Sequence, residues 1–84
     1  MQDIKWKFQI TDKDNRIVTY DIIHYDICIA LCDILAEKTD ILAVDFNAIC
    51  ACEKYYQMVE LVRLRTGMKI KLLNAVFQMH NVKC

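Results

Sequence analysis

The chain has 84 residues, 56% of them hydrophobic and 26% charged, and its eleven cations and eleven anions leave no net charge. This length predicts one domain spanning residues 1–84, and the apolar content excludes a mainly disordered chain. No apolar run reaches the ~20 residues of a membrane-spanning helix. The first residues alternate in polarity, unlike a signal peptide. We therefore expect a cytoplasmic protein that makes no membrane contact.

The first 22 residues predict a β-hairpin. Apolar residues occupy every second position in 4–10 and again in 18–22, and the segment between them, 12–16, is rich in turn-forming residues. This period of two is typical of strands with one buried face. The residues expected on the buried face include Trp6, Phe8, Val18 and Tyr20.

Apolar residues then change to helical spacing, which predicts a first helix. Its apolar stripe consists of Ile23, Ile27, Leu31, Ile34 and Leu35. Asp21 or Asp26 is expected to cap its start, and Thr39–Asp40 its end. The short apolar run 41–46 fits either a third strand or a buried connector, which periodicity cannot distinguish.

A second helix is predicted to follow, capped by Asp45 or Asn47 and ended by Gly67, the single glycine. Residues 68–82 fit a third helix best because they are mostly good helix formers, although 68–72 alone also fits a strand. The predicted fold class is therefore α+β. A hairpin, with or without a short third strand, packs on two or three helices.

Cysteines and histidines raise the question of a metal site or a catalytic thiol. His24, Cys28 and Cys32 are spaced four residues apart, and further cysteines occur in 50–52. These spacings differ from those of zinc fingers and ribbons, so we expect reduced thiols among apolar neighbours. A zinc-stabilised domain, which could also use His80–Cys84, remains an alternative. No motif completes a catalytic site, and we predict no enzyme activity, cofactor or metal.

Charge is distributed unevenly along the chain. Residues 18–53 carry seven acidic side chains and one basic, whereas 54–84 carry six basic and one acidic. Either the two segments lie side by side and neutralise each other, or they form two faces that orient a partner. The basic residues Arg63, Arg65, Lys69 and Lys71 make a nucleic-acid-binding domain an alternative interpretation.

The second helix is apolar over too wide an arc to face one core. The adjacent Tyr55 and Tyr56 point about 100° apart, so one of them is expected on the surface. We therefore predict a homodimer with Tyr56, Leu61 and Leu64 as contacts. The leading functional hypothesis is a small non-enzymatic binding protein: a regulator, adaptor or inhibitor. The composition of the chain would suit a phage or mobile-element inhibitor of a bacterial defence enzyme.

Overall fold

The computed structural model describes residues 2–78, which form a three-stranded antiparallel sheet with helices packed on one face. This arrangement confirms the predicted α+β fold with an N-terminal hairpin packed on helices. The elements in chain order are β1 (Ile4–Thr11), β2 (Ile17–His24), α1 (Ile27–Lys38), α2 (Ala43–Cys50), α3 (Tyr55–Thr66) and β3 (Lys69–Phe77). The strand order is β2-β1-β3, so β1 is the central strand.

The hairpin turn is stabilised by the side chain of its first residue. The Asp12 carboxylate accepts hydrogen bonds from the backbone N–H groups of Asp14 and Arg16, at 2.8 and 2.9 Å. Asn15 adopts a positive φ of 63°, a conformation that asparagine tolerates better than most residues. The turn predicted at 12–16 is therefore formed by the residue types that indicated it.

The helix favoured for residues 68–82 is wrong over 69–77, which form β3. This strand pairs antiparallel with β1, placing Ile70 opposite Ile10 and Leu72 opposite Phe8. Helix propensity is a weak preference, and here burial of Ile70 together with ladder hydrogen bonds to β1 overrides it. Residues 79–82 lie outside the described residues.

The third strand considered for 41–46 is also wrong, because α2 begins within that segment. Its N-cap is Leu42, and Asp45 lies in its first turn instead of capping it. Residues 51–54 separate α2 from α3, so the single second helix of the prediction is two helices. Gly67 ends α3 as predicted, with φ 77° and its N–H donated to the Arg63 carbonyl at 2.9 Å.

The core lies between the sheet and the helices. Its buried members are Phe8, Ile10, Ala30, Leu31, Ile34, Leu35, Ile49, Met58, Val62 and Ile70. Of the predicted sheet face, Phe8 is fully buried and Trp6 and Tyr20 pack against the core, but Val18 is 46% exposed. Val18 lies near the turn end of the hairpin, beside a surface groove. Ile23, assigned above to the first helix, lies in β2 and is exposed.

Candidate functional site

The outer side of α3 carries two large apolar side chains separated by two turns. Tyr56 and Leu64 are each 65% exposed, and Glu60 lies between them, one turn from each. These are two of the three predicted dimer contacts. The third, Leu61, is half-buried and packs against the core.

The inner side of α3 explains why those two residues remain outside. Met58 and Val62 are buried, and the Tyr55 ring packs against Phe8 with centroids 6.1 Å apart. A helix has one buried face here, so residues on the opposite face are left to solvent. Tyr55 packs inward and Tyr56 outward, which confirms the prediction that the adjacent tyrosines diverge.

The start of α2 adds two more exposed apolar residues, Leu42 at 67% and Val44 at 69%. The Arg65 guanidinium Nη1 lies 2.8 Å from Asp45 Oδ1, which ties the last turn of α3 to the first turn of α2. We call the four residues Leu42, Val44, Tyr56 and Leu64 the helical apolar surface.

Both arginines of the predicted basic cluster have carboxylate partners in the helical layer. Arg65 pairs with Asp45, and Arg63 donates two hydrogen bonds to Glu60, one of them from Nε to Oε2 at 3.2 Å. The hydrogen bond from Arg63 holds the pKa of the exposed Glu60 carboxyl below its usual value. Both guanidinium groups therefore form ion pairs with carboxylates of the helical layer.

The two lysines of that cluster lie elsewhere. Lys69 and Lys71 are exposed on β3, and their register partners on β1 are Thr11 and Gln9. Alternation along β1 places Lys5 and Lys7 on the same, helix-free side of the sheet. The predicted basic cluster is thus divided. Sequence reasoning missed Lys5 and Lys7, although the alternation that indicated β1 already placed both on one face.

Charge in the structure follows the two layers. Residues 26–66, which form the helical layer, contain seven carboxylates and four cationic side chains. The open side of the sheet carries the four lysines and the Asp21 carboxylate. The acidic and basic segments of the sequence meet at the Arg65–Asp45 ion pair. Within residues 2–78, this ion pair is a neutralising contact of the kind that the first interpretation predicts. The two layers of opposite sign do not coincide with the two sequence segments, because Arg63 and Arg65 lie in the acidic layer.

Four cysteines lie around the contact between α1 and α2, and all four are free. The Sγ atoms of Cys32 and Cys50 are 3.5 Å apart. Burial, followed by the hydrogen bond with Cys50, raises the pKa of the Cys32 thiol to about 12. The thiols of Cys28 and Cys52 point to the carbonyls of Glu53 and Ala48, at 3.8 and 3.6 Å respectively.

The histidine considered for zinc or catalysis has a different partner. His24 Nε2 lies 3.4 Å from Asp33 Oδ2. Within residues 2–78, no three His, Cys, Asp or Glu side chains form a group that could hold a metal ion. His80 and Cys84 lie outside the described residues. The Cys28 thiol points to the Glu53 carbonyl and not to the His24 ring.

A groove of about 480 Å³ separates the hairpin turn from the α1–α2 connection and the end of α3. Ile10, Tyr20 and Met68 contribute apolar surface, and side chains of both charges surround them. Its lining residues include neither histidine nor cysteine. The groove therefore offers a small apolar floor surrounded by polar and charged contacts.

No protein-family model matches this chain, and no curated protein or solved structure is significantly similar to it. In the part of the chain that the structure describes, no helix combines the length and apolarity that crossing a bilayer requires.

Proposed function

We propose that this protein is a small non-enzymatic binding protein whose helical apolar surface docks against another protein. The supporting observation is the exposure of Tyr56 and Leu64 on one side of a helix whose other side is buried. Covering water-exposed apolar groups with a partner lowers the free energy of the complex, and tyrosine is enriched at protein interfaces. By occluding part of its partner, the protein would act as a regulator, adaptor or inhibitor.

The charged groups beside the helical apolar surface indicate what kind of surface the partner presents. Glu60 lies between the two apolar residues and pairs with Arg63, while Val44 is next to Asp45, which pairs with Arg65. These pairs are partly exposed, so they suit the polar rim of an interface around an apolar centre. The partner is therefore expected to present an apolar depression bordered by hydrogen-bonding groups.

A homodimer through Tyr56, Leu61 and Leu64 belongs to the same proposal. Two-fold pairing would bring the outer side of α3 against its copy. Light scattering over about a hundredfold concentration range is expected to give a dimer mass at micromolar protein. A monomer mass throughout would contradict the homodimer, and the helical apolar surface would then be expected to bind a different protein.

The cytoplasmic location and the mobile-element role are further parts of the proposal. Burial raises the pKa values of the Cys28 and Cys32 thiols, which disfavours the reactive thiolate. Thiols of this kind suit a reducing compartment. The composition and small size of the chain support inhibition of a bacterial defence enzyme as its role.

The test compares matched variants of the full chain. The double variant Tyr56→Glu/Leu64→Glu places charge on the helical apolar surface, and Ile17→Glu places charge on an equally exposed apolar residue of β2. A partner captured from the native host is purified and titrated with each protein. We expect the helix variant to lose binding and the β2 variant to keep it. Unchanged affinity of the helix variant, with its fold verified by circular dichroism, would contradict the proposal.

A further inference from the structure

The side of the sheet that faces away from the helices carries a row of lysines. On β1, Phe8 and Ile10 point into the core, so the alternate residues Lys5 and Lys7 point the other way. On β3, Lys71 stands beside Gln9 and Lys69 beside Thr11, the next two outward positions. We call Lys5, Lys7, Lys69 and Lys71 the lysine face.

These four ammonium groups are available to a ligand. Each lysine is exposed, and the ion pairs formed within residues 2–78 involve His24, Arg63 and Arg65 instead. Among the strand residues, Asp21 is the carboxylate on this side, opposite Lys7 in the β1–β2 register. The lysine face is therefore strongly positive despite the neutral chain, because most carboxylates lie in the helical layer.

The spacing of the lysines fits a linear ligand. Strand residues advance about 3.4 Å each, so Lys5 and Lys7 leave the sheet about 7 Å apart, and the row to the level of Thr11 covers roughly 20 Å. A depression of about 340 Å³ opens on this side of the sheet. Its lining residues are Lys5, Lys7, Asp21, Asn74, Val76 and Gln78.

We propose that the lysine face binds the phosphate backbone of a nucleic-acid strand. Lysines and neutral polar side chains such as Gln9, Thr11 and Asn74 are the groups that proteins use for phosphate and sugar contacts. The large aromatic residues of the hairpin, Trp6, Phe8 and Tyr20, point to the helix side and offer no platform for bases. Binding is therefore independent of base sequence and carried by charge.

The lysine face and the helical apolar surface lie on opposite sides of the molecule, so this inference is independent of the proposed protein contact. The net charge of zero does not oppose it, because the acidic helical layer is on the far side of the sheet. That separation of charge orients the protein with its lysine face towards a polyanion.

The experiment measures fluorescence anisotropy of a labelled single strand of mixed sequence with the full chain at several salt concentrations. Four phosphate contacts on a single strand give a slope of log K against log salt of about −3, or a roughly 50-fold loss of affinity between about 50 and 200 mM salt. The variant Lys7→Gln/Lys71→Gln is expected to weaken binding and to reduce the slope to about −1.4. The control Lys38→Gln/Lys54→Gln removes two helical-layer lysines and should change neither quantity.

Binding of a duplex, of polyglutamate and of a second copy of the chain distinguishes among the ligands of the lysine face. A duplex that binds with a slope of about −3.6 supports the proposal and adds double strands to its targets. Absence of binding by the wild type at low salt, or equal loss in the control variant, overturns it. Polyglutamate that binds as tightly as the nucleic acid overturns it in favour of an acidic protein. A low-salt dimer that the lysine variant abolishes, without nucleic-acid binding, would assign the face to the acidic layer of a second copy.

Discussion

The first two helices are held in the fold by different means. The N-cap of α1 is Asp26, whose carboxylate accepts hydrogen bonds from the N–H groups of Cys28 and Ile29 at 2.8 and 3.1 Å. It buries four residues, Ala30, Leu31, Ile34 and Leu35. The N-cap of α2 is Leu42, whose side chain cannot accept hydrogen bonds from the free N–H groups of the helix, and α2 buries Ile49 alone.

This difference separates a helix with its own local signals from one that depends on its surroundings. An eight-residue helix without a cap is unstable in isolation, so α2 persists because Ile49 packs in the core and Asp45 pairs with Arg65. The consequence is a gradient of stability. The backbone of α2 is expected to open in local fluctuations, whereas α1 opens only when the domain unfolds.

The largest effect is expected from removing a core side chain of α1. Leu31→Ala should lower the free energy of unfolding by about 2–5 kcal/mol, because it leaves a cavity at a fully buried position. Urea denaturation measures the loss. Ile29→Ala on the same helix, where the side chain is 37% exposed, is the control and should cost less than about 1 kcal/mol. Equal losses at the two positions would mean that α1 presents a different face to the sheet.

A smaller loss is expected at the N-terminus of α1. Asp26→Ala should reduce stability by about 1 kcal/mol, since the N–H groups of Cys28 and Ile29 lose their acceptor. Asp26→Asn keeps an oxygen at the cap and should lie within a few tenths of a kcal/mol of the wild type. If Asp26→Asn were as destabilising as Asp26→Ala, the hydrogen bonds would not be the source of the effect.

A small gain in stability is expected from giving α2 the N-cap side chain that it lacks. Leu42 has φ −65° and ψ 147°, an extended conformation suited to an N-cap residue. Leu42→Asp should raise stability by about 0.5 kcal/mol and slow hydrogen exchange of the α2 amides, because its carboxylate can accept hydrogen bonds from free N–H groups of the first turn. Leu42→Ala removes the same exposed side chain without adding an acceptor. A gain of the same size in that control would show that losing the exposed leucine, and not capping, stabilises the protein.

The same contrast explains which parts of the fold were predictable from sequence. The turn at 12–16, the alternation of β1 and the capping aspartate of α1 are local signals that the chain itself carries. α2 has no such signal at its start, so periodicity leaves residues 41–46 as either a strand or a connector, and the predicted second helix begins too late, at Asp45 or Asn47. Helix propensity favours a helix for residues 68–82, but Lys69–Phe77 form β3. Its partner is the free edge of β1, about sixty residues earlier in the chain.

The candidate sites were predictable to different degrees for a similar reason. The exposure of Tyr56 follows from helical geometry within one element, so sequence alone indicated it. The lysine face joins residues from both ends of the chain, and it depends on a sheet register that no local pattern specifies. Grouping Arg63 with Lys69 by proximity in sequence failed because α3 ends at Gly67. The chain there passes from the helical layer to the sheet.

The smallest effect at neutral pH is expected at the thiol pair that joins α1 to α2. Burial and the hydrogen bond with Cys50 raise the pKa of Cys32 from about 9 to about 12. Below pH 9 the thiol is protonated in the folded and unfolded states, so it gives no pH dependence. As the pH rises from about 9 towards 12, the unfolded chain releases this proton and the folded protein retains it, so stability falls.

Urea denaturation in reductant at pH values from about 7 to 11 tests this sign. Serine does not ionise in this range, so the variant Cys32→Ser should lose stability less steeply with pH than the wild type. Other groups also titrate here, and only the difference between the two proteins is interpreted. Cys52→Ser, which removes a thiol outside the pair, is the control for loss of a cysteine. Parallel curves for the wild type and Cys32→Ser would show that burial at the α1–α2 contact does not suppress ionisation of this thiol.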